Sequence, residues 1–165
     1  MKLLASILAI ISLIELTTEV VEGQARCTFP GKSQRCSSPH GLWEVEWRGP
    51  STGGRHILWL KATSRETSTK LLEFDRSADL LWSPDGRSLA VTDHTGSNDS
   101  VLWVFTGPTL VPAINVEDRL RTSLGRVPEI FTNGHRYFEA SDWVSADLLR
   151  FRVRAFDSKS SPYPV

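Results

Sequence analysis

Three observations predict a mainly β domain, its strands antiparallel and in meander order, with one amphipathic helix. Short apolar runs recur between breaks rich in Gly, Pro, Asn and Asp. A strand–turn–strand unit stands out between Ala78 and Phe105. Apolar residues at helical spacing follow Asn115.

The chain of 165 residues starts with Lys2 and an unbroken apolar or small run from Leu3 to Ile14, too short to cross a bilayer comfortably. Gly23-Gln24-Ala25 puts small residues at the two positions a signal peptidase reads, behind a region made acidic by Glu15, Glu19 and Glu22. Residues 1–25 are therefore expected to be a cleaved signal peptide, and the protein to be periplasmic or extracellular. Arg26, rather than a small residue, precedes the first cysteine. That argues against lipidation, so no stable membrane anchor is expected after cleavage. Basic and acidic residues number 19 each, and Lys2 and the three glutamates leave with the leader. The slightly basic remainder supports no nucleic-acid-binding role. Residues 26–157 suffice for one domain with a real core. Residues 158–165, with Pro162 and Pro164, read as a disordered tail.

Cys27 and Cys36 are the two cysteines. In an oxidising compartment they are expected to pair and close a small loop containing Pro30 and Gly31. By loop length the bridge contributes about 2–3 kcal/mol. Their spacing fits no CxxC motif, and no His/Cys set completes a zinc site.

From Leu42 to Trp47 the residues alternate, with Trp43, Val45 and Trp47 on one side and Glu44 and Glu46 on the other: a half-buried strand. Gly49 to Gly54 breaks it. His56 to Ala62 is more uniformly apolar and predicts a central strand covered on both faces. Lys70 to Phe74 is a further short strand. Leu80-Leu81-Trp82 leads into the turn Ser83-Pro84-Asp85-Gly86, where Pro84 fixes φ at the first corner and Gly86 permits the positive φ of the reversal. Leu89 to Thr92 runs back, Asp93 to Asp99 reads as a polar loop, and Val101 to Phe105 returns. Leu81, Leu89, Val91, Trp103 and Phe105 are expected to be buried.

Gly107, Pro108 and Pro112 mark a crossing segment. Asn115 then caps a helix over about Val116 to Arg126, with Glu117 and Asp118 at its positive end and Val116, Leu120, Leu124 and Val127 along one face. Gly125 can shorten it and Pro128 ends it. Packing of that face on a sheet is expected rather than a membrane-surface role. Asn133-Gly134 reads as a hairpin turn between Glu129–Phe131 and Arg136–Glu139. Asp142 to Val144 and Leu148 to Phe156 form a last hairpin.

The run Trp82-Ser83-Pro84-Asp85-Gly86-Arg87, continued by Leu89-Ala90-Val91, resembles the blade repeat of TolB-type, WD40-like β-propellers and of the propeller domains of prolyl-oligopeptidase-like peptidases. The resemblance spans Leu80 to Phe105. It implies a blade-like sheet, with protein binding as the family-level expectation, because in those families the motif builds scaffold and carries no catalysis. Asp142 to Phe156 echoes it without the proline and glycine. A closed propeller needs about four blades at least, so this chain is too short for one.

Gly31-Lys32-Ser33 has the end of a P-loop, but Arg26 stands where its first glycine belongs. No serine occupies a Gly-x-Ser-x-Gly elbow, and His40, His56, His94 and His135 have no histidine partner at helical spacing. The Asp93–Asp99 loop collects oxygen ligands, yet its spacing is not that of an EF-hand, and no metal or other cofactor is expected. Asn98-Asp99-Ser100 fits a glycosylation acceptor. Arg150, Arg152 and Arg154 alternate with apolar residues and share one face of the last strand. They are the candidate partner-binding residues, against the alternative of a solvated face neutralised by Glu44 and Glu46. The six tryptophans all fall in strands, where aromatics build cores more often than carbohydrate platforms.

The functional expectation is a non-catalytic protein-binding or inhibitory module, its partner another protein of the cell envelope or exterior. A glycan-binding module is the first alternative and a small hydrolase the second. Alkylation of the exported, denatured, unreduced protein should add no mass at Cys27 or Cys36. Two modified thiols would contradict the pairing.

Overall fold

The computed structural model describes residues 24–50, 54–107, 109, 110, 112–125 and 134–157. The expected leader (but for Gln24 and Ala25), the tail 158–165, Val127, Pro128 and the Glu129–Phe131 arm lie outside the described residues. The strands are β1 (Arg26–Phe29), β2 (Arg35–Ser37), β3 (Trp43–Arg48), β4 (His56–Ala62), β5 (Ser68–Phe74), β6 (Ser77–Trp82), β7 (Leu89–His94), β8 (Asp99–Phe105), β9 (Ala113–Asn115), β10 (Gly134–Trp143) and β11 (Leu149–Asp157), with helix α1 at Val116–Leu124. The domain is mainly β, as expected. Among the described residues no barrel or propeller closes.

A small sheet runs β2-β3-β4-β5, all antiparallel. A larger one runs β1-β6-β7-β8-β10-β11, with β9 also on β8. Consecutive strands mostly pair in meander order, with two departures. β1 returns to β6, and β10 joins β8 in parallel at Arg136–Asp99 and Tyr137–Ser100.

In β7 the residues from Leu89 to Asp93 are all buried, so this strand is covered on both faces. Leu89 and Val91 join Leu80, Trp82 and Phe105 against Val45, Leu58, Leu60 and Phe74 of the small sheet. Ala90 joins Leu81 and Leu102 against Val116, Phe138 and Trp143. Fully burying each large aliphatic is worth about 1.5–3 kcal/mol. Three layers result: the small sheet, the β1-β6-β7-β8 sheet, and a cover of α1 and the β10–β11 hairpin.

The doubly covered strand is thus β7. β4, expected in that role, is central in its sheet but buries only Leu58 and Leu60 fully, while Ile57 and Trp59 are half-buried. No layer covers that outer face among the described residues, and Trp59 is shielded by the Arg48 guanidinium, 4.8 Å from its ring centroid. Trp103 is half-buried rather than buried, packed at the margin of the core. Asp93 belongs to β7 and not to the loop, because the ladder to β6 continues through Ala78–Asp93 and Ser77–His94.

Helix α1 begins at the expected cap, with the Asn115 side chain accepting from the Asp118 amide. It ends at Leu124, before Arg126, because Gly125 takes the left-handed conformation at φ 66°. Leu124 is 63% exposed and so leaves the expected apolar face, whose buried end is Val116 with Leu120 against it. Arg136–Glu139 and Asp142–Trp143, expected in different hairpins, form the single strand β10, whose register shifts between Ala140 and Asp142 as at a β-bulge.

Ties cross the layers. Cys27 and Cys36 are bridged, with Cα atoms 6.1 Å apart, joining β1 of the large sheet to β2 of the small one. On the opposite side, the Gln24 amide donates to the Trp143 carbonyl at 2.6 Å and accepts from the Trp143 amide at 3.1 Å. The Trp143 indole donates to the Leu81 carbonyl at 3.0 Å.

The β6–β7 turn also touches Ser38 and Pro39, in the connection between β2 and β3. Gly86 has φ 67° and its amide donates to the Ser83 carbonyl at 2.9 Å, while the Ser83 and Asp85 side chains bond each other. A Cβ at Gly86 would lie 2.5 Å from the Pro39 carbonyl oxygen. Gly86→Val should therefore destabilise the domain by about 2–4 kcal/mol through forced positive φ and overpacking together. A denaturant midpoint equal to wild type would refute this account of the turn.

Candidate functional site

The hairpin β10–β11 carries the arginine stripe. Its inner residues Phe151 and Val153 pack against the α1-side core, which leaves Arg150, Arg152, Arg154 and Phe156 exposed on the other face. The acids beside the stripe are Asp142 and Glu139 of β10, not the expected Glu44 and Glu46. Arg150 lies 3.6 Å from Asp142, and Arg154 makes a two-oxygen contact with Glu139 at 2.7 and 2.9 Å. Glu44 and Glu46 pair instead with Arg35 and Arg48 on the small sheet. The parity of β3 puts those acids on an outer face, but nothing local specifies which arginines that face meets. Arg154 also lies over the Tyr137 ring, 5.2 Å from its centroid, and Tyr137 meets Phe156 edge-on. Arg152 is opposite Glu139 in the ladder and has no ion pair among the described residues.

β11 is an edge strand. It pairs with β10 along one side and with no other described strand along the other. At nine residues it is longer than the other sheet ends, β1 at four, β2 at three and β5 at seven.

Glu139 links this face to a second cluster, a cavity of about 260 Å³ under β10 that Arg26, Asp79, Thr92 and His94 also line. His94 Nε2 and the Asp79 carboxylate are 2.8 Å apart, and the Thr28 hydroxyl donates to the other Asp79 oxygen at 2.7 Å. The bond to His94 holds Asp79 below the usual carboxylate range, and the same bond raises His94. The pair stabilises the fold between those two values. Its contribution is lost as pH falls through the lowered Asp79 pKa and as pH rises through the raised His94 pKa. The signal was available in sequence only as a lone histidine, because its partner lies on the preceding strand. His94 bonds no serine, threonine or cysteine side chain among the described residues.

Asp93 points to the opposite face of β7. Burial, then the neighbouring Asp75 carboxylate, push it up to about 6, against the opposing charges of His94 and Arg55. Its Oδ1 is buried without a hydrogen-bond partner. Asp99 pairs with Arg136 at 3.4 Å and acts on Asp93 only as a lesser charge that also raises it. No group of three metal-ligating side chains forms among the described residues.

No family model, no curated protein and no solved structure matches this chain. The propeller-blade resemblance therefore rests on the Leu80–Phe105 motif itself.

The raised Asp93 value sets a pH test. Between about 3.8 and 6 the folded state holds a proton that the unfolded chain releases, so ionising Asp93 costs stability, and the cost is complete above pH 6. Asp93→Asn should raise the melting temperature at pH 8, by the equivalent of up to about 3 kcal/mol. The gain should shrink through pH 6 and vanish near pH 3.8. A difference from wild type that does not change with pH would contradict the assignment.

Proposed function

We propose that the protein is an exported, non-catalytic binding module that takes an extended acidic segment of another protein onto the free edge of β11. The observation that carries this reading is the coincidence of a nine-residue edge, unpaired among the described residues, with Arg150, Arg152 and Arg154 on one exposed face. An open edge offers backbone N–H and C=O groups in register for an added strand, and alternate side chains of that strand then fall beside the arginines. Guanidinium forks match carboxylates, and Arg152, unpaired within the described chain, is the foremost of the three.

Charge also selects the occupant. A second copy added antiparallel to the same edge would set arginine face against arginine face, which disfavours self-association. Glu139 and Asp142 temper the stripe, so the backbone ladder supplies most of the affinity and the arginines supply selectivity and association rate.

The alternatives find less support. A glycan platform needs tryptophans in a row on an open face, whereas Trp43, Trp47 and Trp103 pack against the core and Trp82 and Trp143 are buried. A hydrolase of the triad kind needs a hydroxyl or thiol bonded to His94, whereas among the described residues His94 bonds Asp79, and the nearby Thr28 hydroxyl is bonded to Asp79 as well.

Titration with an extended peptide alternating Glu and Val should shift the backbone amide resonances of residues 149–157 in particular. Replacing all three arginines by Gln should weaken that binding by about tenfold and flatten its salt dependence, with an unchanged circular dichroism spectrum. Binding that is equally tight and equally salt-dependent in the triple variant would remove β11 as the site.

A further inference from the structure

We infer that signal-peptidase cleavage falls between Gly23 and Gln24, two residues before the position that small-residue spacing alone suggests, so that the exported protein begins at Gln24. The inference rests on residues 1–23 acting as an export leader and is independent of what β11 binds.

Cleavage after Ala25 would remove two residues that the folded domain uses. Gln24 spends both polar atoms of its side chain on one peptide neighbour, donating to the Trp143 carbonyl and accepting from the Trp143 amide. It thereby acts as a one-residue strand partner at the end of β10, where Trp143 is buried and its indole is bonded to Leu81. Removing Gln24 leaves that peptide group without its partners, and an unpaired buried backbone group carries a desolvation cost. Ala25 extends the β1–β6 ladder by one rung, its carbonyl accepting from the Trp82 amide at 3.0 Å, and it packs against the core beside the bridged Cys27. Arg26 follows with a bond from its guanidinium to the Ser141 carbonyl. Residues 24–28 thus form a continuous latch holding the β10 cover to the β1–β6 edge, and cleavage after Ala25 would cut into it.

The sequence accommodates the shift. Gly23 supplies the small residue immediately before the bond and Val21 a compact one two positions earlier. The step is hydrolysis of the Gly23–Gln24 peptide bond: water adds across it, giving a carboxylate on the leader and an α-amine on Gln24. Free N-terminal glutamine can then cyclise, its amine displacing the side-chain amide nitrogen as ammonia. The contacts to Trp143 oppose this by holding the amide in place.

The test is the intact mass and N-terminal sequence of full-length protein expressed with its own leader and recovered from the exported fraction. The expected mass is that of residues 24–165, or the same less one ammonia, and both support the inference. A chain starting at Arg26, at any other residue, or at Met1 overturns it. The Met1 form would also reject the leader, whereas a start elsewhere rejects only this bond. A second readout does not depend on export. Protein made to begin at Gln24 should melt at a higher temperature than protein made to begin at Arg26, and Gln24→Ala in the longer form should remove part of the difference. Equal melting temperatures for the two forms would show that the latch does not define the start of the domain.

Discussion

Strand β7 cannot face water on either side, and the rest of the chain is arranged to meet that condition. Its residues Leu89-Ala90-Val91-Thr92 leave no polar face, and at the centre of a sheet they need cover above and below. One cover is the small sheet, presenting Leu58 and Leu60 to Leu89 and Val91. The other is α1 and the β10–β11 hairpin, presenting Val116, Phe138 and Trp143 to Ala90. The small side chain of Ala90 suits the second side, where the bulky Trp143 supplies the volume. Polar groups appear where the covers thin out. Thr92 is satisfied by the Ala140 amide at 3.1 Å, whereas Asp93 is left with an oxygen unpaired and answers by holding its proton to higher pH.

A three-layer arrangement of short strands exposes the domain to layer separation, since each cover touches the middle sheet through a single face. The chain counters this with ties at different places. The Cys27–Cys36 bridge joins the large and small sheets at their first strands, and the Gly86 turn presses on Ser38 and Pro39. Gln24, Arg26 and the Trp143 indole fasten the opposite cover. β1 takes part in both sets, so a strand of four residues anchors two interfaces. Its brevity suits an edge, because little unpaired backbone is left for unwanted pairing.

Local structure was legible in the sequence wherever a local signal determines it. The Ser83–Gly86 turn, the alternation from Trp43 to Trp47, the Asn115 cap and the Cys27–Cys36 pairing each depend on residues a few positions apart. What escaped depends on distant partners. The parallel pairing of β10 with β8 has no turn to announce it, so in sequence Arg136–Glu139 reads as the arm of a hairpin with a neighbouring segment. Asp93 looks like a loop residue because carboxylates rarely sit in doubly buried strands, and only the ladder from Ser77 to Trp82 shows otherwise. The arginine stripe itself followed from the period of two, but its neighbours did not. They depend on which strands share a sheet, and Glu44 and Glu46 lie on β3 of the small sheet while Glu139 and Asp142 lie on β10. Gln24 carried no signal at all, since a polar residue before a small one is ordinary in a leader.

Among the described residues, the edge of β11 is the longest one left without a partner strand. β1 and β2 end their sheets in four and three residues, and β5 carries Lys70 and Glu73 on its own edge. β11 continues for nine residues with three like charges along one face. Like charges on an edge are a standard defence against aggregation, because every copy repels every other in that register. The same charges do not repel a strand that carries carboxylates at alternate positions. An edge protected by one sign of charge is closed to its own kind and open to a complementary chain. On the proposed reading, the charges that disfavour self-pairing at that edge are also those that select what can add to it.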